Sequence, residues 1–237
     1  MHEILSTKSN RSCEVSLTLK KVYKYFGKKC VLNDISLTIT NKTFTAIIGN
    51  NGAGKTTLAN ILSGYWSISK GEKSSSNLRP ERVSYLFQTS FIDRHLSIKS
   101  NLSIIALMKN MDSKLFISNV MHKLNKIFSV RLDQNLLVKE LSGGQKRMLE
   151  FCIIVDAKSD LLILDEPTVG LDFFAKEKAI NYIREIITNF KGLFVICTHD
   201  EEEFRLANHF LLLANNTIRV NQKIENDFKS IYKKYQR

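Results

Sequence analysis

No apolar run in this chain approaches the roughly twenty residues that a membrane-spanning helix needs, so no transmembrane segment is expected in its 237 residues. The stretch Met1–Glu14 is polar and lacks the apolar core of a secretory signal. Cysteine is scarce. Cys13, Cys30, Cys152 and Cys197 show neither metal-ligand spacing nor a paired pattern, which argues against a zinc module and against a disulfide framework. Three of them lie in or beside apolar segments, as buried thiols of a reducing cytosol do. Internal repeats are missing too. Acidic residues are the minority, 23 against 35 Lys and Arg, for a formal net charge of +12. Lysines gather near the start (Lys20, Lys21, Lys24, Lys28, Lys29) and the end (Lys229, Lys233, Lys234, with Arg237). Such charge serves as solvated surface or as attraction to an anionic membrane leaflet. It lacks the aromatic interleaving of a single-strand nucleic-acid surface, so nucleic acid is not the expected partner.

Against that background three short stretches stand out in order. Gly49-Asn50-Asn51-Gly52-Ala53-Gly54-Lys55-Thr56-Thr57 fits the P-loop pattern G-x-x-x-x-G-K-[ST]. An apolar run, Thr43–Ile48, precedes it and a helix-forming run, Leu58–Leu62, follows. Glycines let the loop backbone approach phosphate oxygens, and the loop N–H groups with the helix N-terminus form an anion site. Lys55 is expected to reach the β- and γ-phosphates of a nucleotide and the Thr56 hydroxyl to bind Mg²⁺. Leu161–Leu164 is apolar without alternation, as a strand buried on both faces is, and ends in Asp165 and Glu166. Ligands sit at the carboxyl ends of such strands. Asp165 therefore suits the Mg²⁺ shell, and Glu166 is placed to orient and polarise an attacking water. The third stretch, Leu141-Ser142-Gly143-Gly144-Gln145, is a glycine-rich turn opening a helix. It offers a hydroxyl, bare N–H groups and a helix dipole to an anion.

Two more strand-like runs end in polar residues: Val83–Phe87 in Gln88, and Leu193–Cys197 in Thr198-His199-Asp200. Taken together, the three stretches and these strand ends resemble the ATPase cassette of ABC transporters, from about Leu17 to about Val220. The resemblance implies an α/β fold: a P-loop ATPase core with a mostly parallel sheet, a small antiparallel β subdomain and an α-helical lobe. Leu141–Gln145 looks like the family's signature motif, which completes the site of the opposite subunit. Two cassettes, identical or different, would pack head to tail around two ATP molecules, with Ser142, Gly143, Gly144 and Gln145 facing the ATP held by Lys55 of the partner subunit. Gln88 resembles the Q-loop glutamine near Mg²⁺ and the attacking water, His199 the switch histidine, and Gly170-Leu171-Asp172 the D-loop. Asn50, Gly52, Ala53, Gly54 and Thr57 complete the nucleotide contacts. Phe26, before Gly27, stands where the family stacks an aromatic ring on adenine; Tyr25 is the alternative.

The remaining pattern divides the chain within one expected domain, 1–237. Residues 16–39 alternate as two or three strands. The polar stretch Lys70–Arg82 reads as a loop, so the accessory sheet looks reduced. Thr89–Glu140 has no glycine or proline, and Ile104, Leu107, Met108, Met111, Leu115, Val120, Leu124 and Ile127 recur at helical spacing. A helical lobe is expected over about 89–158, which by resemblance docks membrane subunits. Amphipathic helices are expected over Ala175–Phe190 and about 226–237. Departures from the family pattern are few: Met148 stands where an arginine is common, beside Lys146 and Arg147, and Ser159-Asp160 replaces a proline. Every polar group needed for hydrolysis is present, so an active Mg²⁺-dependent ATPase is expected. Its partners would be transmembrane permease subunits on separate chains, with the cassette peripheral on the cytoplasmic face of a membrane. The short tail after the last strand favours export. The alternative is a soluble ABC ATPase acting in complex assembly, on nucleic acid or on the ribosome.

Overall fold

In the computed structural model, residues 14–41, 43–155, 159–224 and 230–231 are described. Strands β1 (Ser16–Phe26) and β2 (Lys29–Thr40) form an antiparallel hairpin, and β3 (Phe44–Ile48) runs into the glycine-rich loop and helix α1 (Lys55–Ser63). Next come β4 (Lys70–Ser76), β5 (Val83–Leu86) and three helices, α2 (Ile98–Met108), α3 (Ser113–Phe128) and α4 (Gly143–Val155). The chain then alternates through β6 (Leu161–Asp165), α5 (Phe173–Asn189), β7 (Leu193–Cys197), α6 (Glu201–Phe204), β8 (His209–Ala214) and β9 (Thr217–Lys223).

The larger sheet has the order β5-β6-β7-β3-β8-β9 and is parallel except for β9, which pairs antiparallel with β8. Its central strands β3, β6 and β7 are apolar apart from Thr45 and Asp165, because both faces are covered. Ala46, Ile48, Leu162, Leu164, Phe194 and Ile196 face the core shared with α2–α5. Their sequence neighbours Ile47, Leu161, Ile163, Leu193 and Val195 face a second core formed with α1 and the smaller sheet. In the hairpin, Leu17 and Leu19 of β1 and Ile35, Leu37 and Ile39 of β2 alternate and are all buried, and bulges shift the register beyond Leu19. The β8–β9 turn places Asn215 and Asn216 at φ 51° and 66°, the left-handed pair that a two-residue hairpin turn requires. Side chains cap the helices: Asp112 accepts from the Leu115 N–H and Asp172 from the Ala175 N–H, at 2.7 and 2.9 Å.

Two expectations change. Lys70–Ser76 is not a loop but the edge strand β4, paired antiparallel with β1, so the smaller sheet has three strands in the order β2-β1-β4. Every β4 residue is exposed, so no buried face imprints alternation on its sequence, and its lysines suit an unpaired edge. Lys73 Nζ also donates to the carbonyls of Ile61 and Leu62 at the end of α1, at 2.6 and 3.2 Å. On the lobe, Val120 and Leu124 are buried as expected, but Ile104, Leu107, Met108 and Leu115 are exposed. They lie where α2 ends and α3 begins, at the rim of the lobe rather than across its core. The helix expected over 226–237 lies outside the described residues apart from Ser230 and Ile231, which are helical. Cys152 and Cys197 are buried and Cys30 is partly buried, and none of the three is in a disulfide.

Gly71 has φ 98°, and a Cβ there would strike the Lys21 carbonyl of β1. Gly71→Ala is expected to lower stability by about 1–3 kcal/mol, measured by urea unfolding, through loss of the β1–β4 pairing.

Candidate functional site

Parallel pairing delivers the polar strand ends to one edge of the sheet. The loop after β3, the Asp165-Glu166 end of β6, the Thr198-His199 turn after β7 and Gln88 beyond β5 all lie there. In the glycine-rich loop a Cβ on Gly49 would strike the Leu213 carbonyl, and one on Gly54 would come within 2.9 Å of the Leu32 side chain. The loop therefore sits flush against β8 and β2 at these two positions, with no room there for a larger residue. Gly54 at φ 103° heads α1, which has no side-chain cap. The N–H groups of the first turn of α1 are thus left for a ligand. The buried Lys55 ammonium folds back on its own loop, donating to the Gly49 and Asn50 carbonyls at 2.8 and 3.2 Å.

Beside this cradle opens a cleft of about 370 Å³ lined by Val31, Asn51, Gly52, Gly54, Lys55, Thr56, Thr57, Gln88 and Glu166. Glu166 is almost wholly buried. One of its carboxylate oxygens accepts from Gln88 Nε2 at 2.9 Å, and the other lies 3.0 Å from His199 Nδ1. Three residues named from separate segments thus meet on one carboxylate. Asp165, beneath it, is held by the Tyr85 hydroxyl at 3.3 Å and by Thr56. Burial pushes the Asp165 carboxyl above the usual carboxylate range, against the pull of these hydrogen bonds. Tyr85, buried against Asp165, is pushed well above the ordinary phenol range by burial first and by the Asp165 charge second. The Thr56 hydroxyl, Asp165 carboxylate and Gln88 carboxamide form an oxygen donor set suited to a hard cation such as Mg²⁺.

The other expected residues stand apart from this cleft. Ser142, Gly143, Gly144 and Gln145 do not line it. Ser142 and Gln145 instead cap α4 reciprocally, the Gln145 side chain accepting from Ser142 N–H at 3.0 Å and Ser142 Oγ from Gln145 N–H at 3.2 Å. Phe26, at the β1–β2 turn, is exposed, edge-on to Trp66 at 5.2 Å and below Lys24 Nζ. Tyr25 is stacked on Tyr23, with ring centroids 6.4 Å apart.

Two buried charges near Glu166 escaped sequence reasoning. Arg147, in α4, donates to four backbone carbonyls: Phe87 at 2.6 Å, Glu166 at 2.8 Å, Asp165 at 3.0 Å and Pro167 at 3.2 Å. Glu203, in α6, accepts from the Thr168 N–H at 3.0 Å and its hydroxyl at 2.6 Å, and burial pushes its carboxyl up. Neither has a sequence signal beyond charge at a helix position that turns out to face inward. Glu166 itself has φ 47°, a left-handed conformation costing a non-glycine residue about 1–2 kcal/mol.

The family model described as "ABC transporter" matches residues 32–169. The spermidine/putrescine import ATP-binding protein PotA of Legionella pneumophila (strain Paris) is 27% identical over 207 residues, covering 84% of this chain and 57% of that protein. The sulfate/thiosulfate import ATP-binding protein CysA of Yersinia pseudotuberculosis is 26% identical over 215 residues, 86% of this chain and 59% of that protein. The ABC-type organic anion transporter ABCA8A of Mus musculus is 35% identical over 164 residues, 65% of this chain and 10% of that protein. The chain thus spans under three fifths of the two bacterial relatives. A dimeric ATP-binding cassette bound to ADP and Pi shares the fold, with a TM-score of 0.78 at 21% identity, covering 89% of this chain and 99% of that one.

Gly49→Ala is expected to weaken ATP binding by about tenfold or more, followed by titration with a fluorescent nucleotide, because the loop must leave β8 to admit the methyl group.

Proposed function

The chain belongs to the ABC transporter family of ATP-binding cassettes, whose model matches more than half of it, and from that premise we propose that it is an ATP-hydrolysing subunit driving transport through transmembrane subunits on separate chains. The observation that carries the reading is the Glu166 carboxylate, held between Gln88 and His199 at the mouth of the P-loop cleft. In this reading 1–237 acts as one cassette. Asn50, Gly52, Ala53, Gly54 and Thr57, with the N-terminus of α1, cradle the phosphates. Lys55 exchanges its two loop carbonyls for phosphate oxygens. Thr56, Asp165 and Gln88 would hold Mg²⁺, which would supply positive charge against the transferring phosphoryl group. Glu166 orients and polarises the attacking water, and His199 and Gln88 fix its carboxylate. Phe26, exposed and backed by Trp66, offers its ring to adenine, whereas Tyr25 is already stacked on Tyr23.

The signature turn lies outside this cleft and is exposed at Ser142 and Gly143, which supports its use by a second cassette, identical or different. Ser142, Gly143, Gly144 and Gln145 would then close on the partner's nucleotide. The exposed Ile104, Leu107, Met108 and Leu115 of the lobe supply apolar surface for a membrane subunit. Among the described residues no helix is long and apolar enough to cross a membrane, which supports a peripheral position on such a subunit. The export direction expected from the short tail finds no support among the relatives. PotA and CysA are both named as import proteins, which favours import.

Glu166→Gln should retain ATP affinity, lose turnover by about a hundredfold or more, and show an ATP-dependent dimer in sedimentation velocity. The same variant, tagged and recovered from detergent-solubilised membranes, is expected to bring down a polytopic membrane protein. Recovery of soluble proteins or RNA alone would sink the transporter reading.

A further inference from the structure

The backbone of the Asp165–Gly170 turn is over-determined. Glu166 N–H donates to the Cys197 carbonyl at 2.9 Å, and the Glu166 carbonyl accepts from Val169 N–H at 3.3 Å. Arg147 takes the carbonyls of Asp165, Glu166 and Pro167, while Glu203 takes the Thr168 N–H and hydroxyl. A left-handed non-glycine residue persists only where its surroundings hold it so. Here the hold is one buried cation on the carbonyl side and one buried carboxylate on the amide side. The same guanidinium reaches the carbonyl of Phe87, the residue before Gln88. One side chain therefore fixes the backbone at Glu166 and at the residue before Gln88, one of the two groups that meet on the Glu166 carboxylate.

We propose that Arg147 is a positioning residue for hydrolysis, its guanidinium fanned across the Asp165–Pro167 carbonyls so that the aim of Glu166 at the cleft is set by helix α4. Arg147 lies one helical turn inside α4, whose first residues are the signature turn. In-line movement of that helix moves the guanidinium and, through it, the Glu166 turn and the Gln88 segment together. A lysine cannot substitute. Its single ammonium has three donors on one atom, whereas the planar guanidinium spreads five donors over three nitrogens to reach carbonyls on two separate strand ends. The inference rests on the reading of Glu166 as the group that activates water.

The test compares Arg147→Lys and Arg147→Ala with Glu166→Gln in the full chain. Three quantities are followed: ATP affinity, steady-state turnover, and hydrogen exchange of the amides from Glu166 to Gly170. Arg147→Lys is expected to lower turnover about tenfold or more and to leave ATP affinity within about threefold. Exchange in the turn should rise while β6 and β7 stay protected. In Arg147→Ala, added guanidinium ion should restore part of the turnover by refilling the vacated space. If the alanine variant does not fold, the lysine variant decides. Unchanged exchange in the turn, unchanged turnover, or turnover that falls only in step with ATP affinity or folded fraction overturns the proposal. Should Glu166→Gln itself turn over ATP normally, the reading of Glu166 fails instead, and the exchange data still report whether Arg147 holds the turn.

Discussion

Parallel pairing of β6 with β5 on one side and β7 on the other sets the spacing of the groups that meet on Glu166. Leu164 lies opposite Leu86 in β5 and Ile196 in β7, and Asp165 opposite Cys197, so Gln88, Glu166 and His199 leave the sheet at neighbouring points on one edge. A one-residue slip of any of these strands would exchange its two buried faces. Leu162 and Leu164 would then point at the α1 side and Ile163 at the lobe side. Two close-packed cores resist that exchange at once, and the register of the site is thereby tied to the packing of the whole molecule.

The carboxyl edge concentrates features that burial alone disfavours. Asp165, Glu166, Lys55, Arg147 and Glu203 are all buried, and Glu166 adopts a backbone conformation that most residues avoid. Each is tolerated because it is partnered. Lys55 lies on loop carbonyls, Arg147 on four carbonyls, and Glu203 on Thr168. Breaking one partner would leave a buried charge uncompensated, which is costlier than the pair is favourable. In the proposed reading Glu166, Gln88 and His199 are already held together before a nucleotide arrives, as electrostatic preorganisation requires, whereas Lys55 has still to leave its loop carbonyls.

Away from that edge the structure is looser in its demands. The three-stranded sheet covers one face of the core with alternating residues, and its outer strand β4 is exposed throughout. The lobe buries Phe116, Val120, Leu124, Phe128 and Phe151 internally, yet leaves four apolar side chains exposed where α2 meets α3. Exposed apolar surface of this kind on an otherwise packed domain marks a place for contact with something else.

The P-loop, the Asp165-Glu166 strand and the signature turn were legible from sequence because each is a short run whose chemistry is local. Glycines permit a backbone shape, an unbroken apolar run signals burial on both faces, and a polar residue at its end must emerge at the sheet edge. Strand β4 was not legible, since an edge strand exposed on both sides carries no periodicity. The exposure of Leu107 and Met108 was hidden as well, because helical spacing names a face but not where the bundle ends. Tertiary structure alone decided that Arg147 turns inward to collect carbonyls from Phe87 and from Asp165 to Pro167, and that Glu203 answers it across the turn. The Arg147 contacts join residues between 18 and 60 positions apart through backbone groups that every residue carries. A hydrogen bond to a carbonyl leaves no mark on the identity of the residue that accepts it.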